Sequence, residues 1–278
     1  MSRLESAKRL MRRWFTSIPF FVLLGLVLGG LISIPVIPKP NIATIEISGI
    51  IFDQAQTDDI LEALRYARED DSIKAVVLLI DSPGGYTVTV DPIYLEVLRL
   101  RAQKPVVASV GMIGASGGYR IAVASNFIYA QPASLLGSVG TWVGLPRPEE
   151  LDEDILTTGP FKATGSSRRR WTGVLEMFRQ TFVDAVVSQR GDRLKLSEEE
   201  LSRAEIYVGI ESLRYGLIDD IGTSTDAMEK AASLAGIRNY EVVELHIWKP
   251  VIWFFSLEDL KSRTGLMPIY YYLYFESE

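Results

Sequence analysis

Two residues could carry acyl-transfer chemistry, Ser116 and Lys162. Ser116 stands in Gly114-Ala115-Ser116-Gly117-Gly118, after an apolar run and before a helix-like segment. A serine at the start of a helix has free backbone N–H groups beside it, and these favour a developing alkoxide or oxyanion. The glycines around it let a substrate backbone approach closely. The same pattern also suits a plain N-cap serine, a preferred residue at that position. A second glycine turn, Asp81-Ser82-Pro83-Gly84-Gly85, could present a backbone N–H to the same oxyanion, or could simply end a strand. Lys162 lies in Thr158-Gly159-Pro160-Phe161-Lys162-Ala163-Thr164-Gly165, apart from the basic run Arg168-Arg169-Arg170. A lysine can act as a base towards serine when burial disfavours its ammonium form. Otherwise it is a solvated loop residue.

Composition narrows the alternatives. The 278 residues include no Cys and a single His, His246. This excludes a cysteine nucleophile, a disulfide framework and Cys- or His-cluster metal sites. An enzyme built on this chain is expected to work without histidine. The net charge of −6 argues against a nucleic-acid partner, which calls for a basic face. An apolar fraction of 47% is that of a globular chain.

The elements that must position these residues alternate. Residues 42–52 are rich in β-branched side chains and read as a strand, 58–68 as a helix, and 74–80 as a strand covered on both faces. Residues 90–102 read as a helix, 105–110 as a buried strand, the segment from Tyr119 as a helix, and 126–131 as a strand. The order implies an α/β fold with a mostly parallel sheet, whose sites lie at the carboxyl ends of strands. Both glycine turns fall at such ends. Helices are predicted over 174–189, 197–204, 209–215 and 226–235, and a strand over 240–248.

Ahead of this domain, Trp14 to Ile37 holds no charged residue and is long enough for one transmembrane helix. Arg3, Lys8, Arg9, Arg12 and Arg13 precede it, so its N-terminus is expected in the cytoplasm and the remainder outside. Prolines 35, 38 and 40, with no small-residue cleavage site, favour an uncleaved anchor over a signal peptide. The expected organisation is 1–40 for the basic end, anchor and linker, 41–248 for the main domain, and 249–278 for an aromatic tail. The tail aromatics could pack on the domain, contact lipid, or lie in a substrate groove.

The series DSPGG, then GASGGY after PVVASVGMI, then NFIYAQPASLLGSVG, TGPFKATGSS and GLIDDIG resembles the signal peptide peptidase SppA family, the S49 serine peptidases, in its short form. The resemblance covers roughly residues 42–235. It implies a ClpP/crotonase-like fold and a Ser-Lys dyad, with Ser116 as nucleophile and Lys162 as general base, a mechanism that needs no metal or cofactor. Gly85 and Gly117 would supply the oxyanion hole, and Ser134, Ser138 and Thr164 are candidates to orient the lysine. It also implies a homo-oligomeric ring in which neighbouring chains help complete each site. Its substrates would be cleaved signal peptides or other apolar membrane-derived segments.

Three rivals remain. GASGG also fits the nucleophile elbow of an α/β-hydrolase, with Ser116, Asp219 or Asp220, and His246 in that fold's chain order. A membrane-anchored scaffold without catalysis would need neither Ser116 nor Lys162. A related membrane protease acting on stomatin-type partners would be expected to carry more than one span.

Overall fold

The computed structural model describes residues 19, 21–26, 28, 39–145, 158–245 and 270–271. The chain divides into two units, residues 1–39 and 40–278. In the first, the described residues between 19 and 28 are helical and exposed. Among the described residues no helix is long and apolar enough to cross a membrane, and most of the expected span lies outside them. His246 and nearly all of the tail also lie outside them.

The second unit opens with β1 (Asn41–Ile51), α1 (Gln54–Glu69), β2 (Ile73–Gly85), α2 (Thr87–Arg101), β3 (Val106–Ala115), α3 (Gly117–Val123) and β4 (Phe127–Ala130). It continues with β5 (Leu135–Gly137), β6 (Trp142–Val143), α4 (Arg168–Arg190), α5 (Glu198–Leu201), β7 (Ile206–Val208) and α6 (Gly209–Arg214). Last come β8 (Asp220–Ile221), α7 (Ser224–Ala235), β9 (Glu241–Leu245) and β10 (Tyr270–Tyr271).

The three long strands are apolar on both faces because helices cover both. Ala43, Ile45 and Ile47 of β1, Val76, Leu78 and Ile80 of β2, and Val106, Ala108 and Val110 of β3 share one core with side chains of α1 to α4. The alternate residues Ile42, Ala75, Val77 and Val107 pack on Ala227, Ala231 and Ala232 of α7. Burying each of the Val, Leu and Ile side chains contributes about 1.5–3 kcal/mol. Continuous apolar runs are therefore what a doubly covered parallel sheet requires.

The main sheet runs β7-β5-β3-β2-β1-β9, with β4 and β8 branching from β3. All its pairings are parallel except β5 with β7. The branch arises on β3, whose residues 107–110 pair with β4 while residues 113–115 pair with β5. Asp81, at the end of the regular β2 register, steadies this fork by accepting the Ile113 N–H at 3.1 Å.

The glycine segment at 81–85 continues β2 instead of ending it. Ser48 pairs with Asp81 and Ile50 with Gly84, a register shift centred on Gly49, whose φ is +71°. On the other side Ile80 pairs with Val110 and Ser82 with Gly114. Pro83 has no ladder partner in either register, the position at which a central strand tolerates proline. The Ser82 hydroxyl stitches the irregularity, donating to Gly49 C=O at 2.6 Å and accepting the Gly84 N–H at 3.2 Å.

Candidate active site

Ser116 closes β3 and opens α3. Its N–H donates to Gly137 C=O at 2.9 Å, and its own C=O accepts the Arg120 N–H at 2.9 Å. Its backbone has φ 51° and ψ −119°, outside the favoured regions for a residue with a Cβ. Such a conformation costs about 1–3 kcal/mol and is held only where the surroundings fix it. The side chain does not cap its helix. Ser116 is fully buried, and its Oγ has no hydrogen-bond partner among the described residues. The capping role open to the residue from sequence is thus not the one it takes.

Three glycines crowd this hydroxyl. A Cβ on Gly84 would lie 2.8 Å from Gly117 N and 3.2 Å from Ser116 Oγ, and the φ of Gly84 is +113°. The space left by that missing side chain is where the serine hydroxyl and the first N–H of α3 converge. A Cβ on Gly85 would lie 1.9 Å from Ile51 C=O, so this strand contact admits only glycine. A Cβ on Gly117 would lie 2.7 Å from a Val90 methyl and 3.2 Å from Gly85 N. Gly85 and Gly117 therefore face one another beside Ser116. Gly117 is the first residue of its helix, where the N–H has no partner within the helix. Ile51 C=O already accepts the Tyr86 N–H at 2.9 Å while Ile51 pairs with Gly85, which turns the Gly85 N–H away from β1. A buried hydroxyl beside two backbone donors is an arrangement that could attack a carbonyl and stabilise the resulting oxyanion.

Lys162 is placed differently. It sits in a turn, its N–H bonded to Gly159 C=O at 3.1 Å, and its side chain is exposed. The unpartnered Ser116 Oγ means that no hydrogen bond joins the two within this chain. Among the described residues, Lys162 lacks the burial expected for a basic lysine. Thr164 shares the turn but donates to Ser166 C=O at 3.2 Å, while Thr164 C=O accepts the Trp171 indole N–H at 2.9 Å. Ser134 is committed to backbone: it accepts the Gln131 N–H at 2.9 Å and donates to Gly111 C=O beneath the fork. Ser138, buried with φ 53°, begins a cavity of about 270 Å³. Trp142, Leu175 and Ala204 line it together with Thr172, Glu176 and Arg179. Its walls are of mixed polarity, with Glu176 and Arg179 ion-paired.

The acid of the rival triad is engaged elsewhere. Asp219 is held by Arg190 at 2.9 Å and Arg193 at 2.7 Å, and it accepts the Ile128 N–H at 2.8 Å. It therefore ties the end of α4 to β4 and has no free oxygen to direct at a histidine. Asp220 accepts the neighbouring Ile221 N–H at 2.8 Å. The sequence reading missed the space vacated by Gly84 and the buttress from Val90. The five-residue DSPGG string was the available signal for the first, and nothing local marked the second.

Comparisons with known proteins place the chain in a family. The profile of Peptidase family S49 matches residues 99–238, half of the chain, and includes both Ser116 and Lys162. A Synechocystis protein named as a candidate protease is 32% identical over 212 residues, covering 72% of this chain and 76% of its own length. Protease 4 of Salmonella typhi is 30% identical over 73% of this chain, which spans 36% of that protein's length. The chloroplastic serine protease SPPA of Arabidopsis thaliana is 30% identical over 75% of this chain and 32% of its own. Among solved structures, two mutants of the 1510-N membrane-bound stomatin-specific protease share the fold. A serine-to-alanine mutant gives a TM-score of 0.54 at 17% identity, covering 77% of this chain and all of that one. A lysine-to-alanine mutant with a substrate peptide gives 0.53 at 19%, covering 81% and 97%. With the family profile spanning half of the chain, and a relative 32% identical over most of both lengths, this chain belongs to peptidase family S49 and is a serine peptidase of the SppA type.

Proposed function

We propose that Ser116 and Lys162 form a Ser-Lys dyad that hydrolyses peptide bonds in apolar, membrane-derived segments such as cleaved signal peptides. The observation that carries this reading is the buried, unpartnered Ser116 Oγ between Gly84 and Gly117. In the first step neutral Lys162 takes the Ser116 proton as Oγ bonds to the substrate carbonyl carbon. The Gly85 and Gly117 N–H groups hold the oxyanion, with Gly84 leaving room for it. The C–N bond then breaks, and the amine leaves with the proton returned by the lysine. Water, deprotonated by the same lysine, releases the acid and restores Ser116.

The exposed position of Lys162 favours a dyad completed across subunits of a homo-oligomeric ring. There the amine would be buried by a neighbour rather than by its own chain. The anchor at residues 14–37 would hold the ring at a membrane, with the catalytic domain on the extracytoplasmic side. The membrane-bound protease of the same fold supports such a placement. Its serine-to-alanine and lysine-to-alanine mutants, the latter holding a substrate peptide, support the pairing of residue types.

The test uses the full chain and a fluorogenic peptide with an apolar residue before the scissile bond. Ser116→Ala and Lys162→Ala should each be inactive, and His246→Ala active. Mixing the two inactive chains should restore part of the activity if the dyad spans subunits. Full activity in Lys162→Ala with loss in His246→Ala would replace the dyad by a histidine triad.

A further inference from the structure

We propose that Arg120 is a positioning residue that locks the three helices carrying the site into one register. The inference rests on the reading of Ser116 as nucleophile. Arg120 lies on α3, one turn beyond Ser116, and only 4% of it is exposed. Its Nε donates to Asp91 of α2 at 2.7 Å, and one terminal nitrogen donates to Thr181 C=O of α4 at 3.3 Å. The guanidinium carbon stands 4.8 Å from the Tyr94 ring centre on α2 and 5.4 Å from that of Phe182 on α4. One planar cation is therefore held by two aromatic rings, a carboxylate and a carbonyl, all from the two flanking helices.

Each of the three helices leads back to a group of the site. α2 begins immediately after Gly85 and Tyr86, and its Val90 packs on Gly117 next to Asp91. α3 begins at Gly117 itself and has seven residues, too few to hold a fixed orientation without tertiary contacts. α4 follows the turn that carries Lys162. A long apolar side chain could fill the same volume without the cost of burying a charge, so the guanidinium is not required for packing alone. What it adds is direction, since a planar fork bonded on two sides fixes the relative rotation of the helices. A shift of about 1 Å in the nucleophile is worth about a hundredfold in rate. The charge thus serves the geometry of Ser116 and its two N–H donors without touching the substrate.

The test compares full-length Arg120→Met, Arg120→Lys and Asp91→Asn with the wild type. Readouts are thermal midpoint, kcat and KM on the apolar peptide, and the rate of Ser116 labelling by a fluorophosphonate, with the labelled residue identified by mass spectrometry. Assays are run well below each midpoint. Arg120→Met and Asp91→Asn should lower kcat and the labelling rate about 10- to 100-fold with KM within about twofold, and Arg120→Lys should recover part of the loss. Asp91→Asn leaves the buried arginine in place and keeps the test open if Arg120→Met does not fold. Wild-type kcat and labelling rate in the folded variants, with only the midpoint lowered, would overturn the proposal. Labelling of the wild type at a residue other than Ser116 would overturn the nucleophile reading and this inference together.

Discussion

The nucleophile turn and the lysine turn are built in opposite ways. Ser116 is fully buried, strained, bonded to β5 through Gly137 C=O and approached closely by Gly84 of β2. Lys162 stands exposed on a turn closed by local backbone contacts. The first is a product of the core, so a change to the backbone or glycines there disturbs folding and chemistry together. The second is separable, so its chemistry can be removed with the fold intact. The proposed dyad would thus join one rigid and one separable half, which suits completion by an outside surface.

Substitutions can break or sharpen this contrast. The largest loss should come from Ser116→Ala, at least about 10³-fold in kcat/KM, since the nucleophile itself is gone. Its thermal midpoint should hold or rise, because a buried hydroxyl without a partner is removed. Lys162→Ala should follow at about 10²- to 10⁴-fold, the span of a lost general base. Its stability should stay within about 0.5 kcal/mol of wild type, as for surface positions. A midpoint lowered by many degrees would show the lysine to be part of the core and end the contrast. Gly84→Ala should cost about 10²- to 10³-fold, comparable to loss of an oxyanion donor, and should also destabilise the fold. Activity lost with the midpoint unmoved would mean that Gly84 is not fixed by the core. Asp219→Asn should have the smallest effect on kcat, leaving it near wild type in the folded protein. It should lower stability by about 3–5 kcal/mol, because Arg190 is left buried beside a neutral group. Loss of kcat without loss of stability would revive the hydrolase triad.

These contrasts follow how much each region showed in the sequence. The long strands were legible because a sheet covered on both faces leaves an unbroken apolar run, as in residues 74–80. β5, β6, β7 and β8 were not, having two or three residues each, too few for any periodicity. Their pairing is imposed by β3, β4 and the tail. DSPGG read as a turn because proline and glycine end most strands. Here a bulge at Gly49 and the Ser82 hydroxyl carry the strand through it. Ser116 was legible as a serine between glycines, but its strained backbone was not, since that depends on Gly137 and on the vacancy at Gly84. Arg120 looked like one charge in an apolar helix, and only the fold brings Asp91, Tyr94 and Phe182 around it.

The bond from the Ser116 N–H to Gly137 C=O bears on the chain as it is being made. While synthesis has not passed residue 137, β5 does not exist and the serine lacks the partner that fixes its backbone. β5 is in turn closed at its outer edge by β7, seventy residues further on the way through the chain, counted roughly as an interval that is slow to join. A nascent or truncated chain therefore emerges with the Ser116 backbone unset. The proposed hydrolysis thus depends on a stretch of chain made after the serine itself.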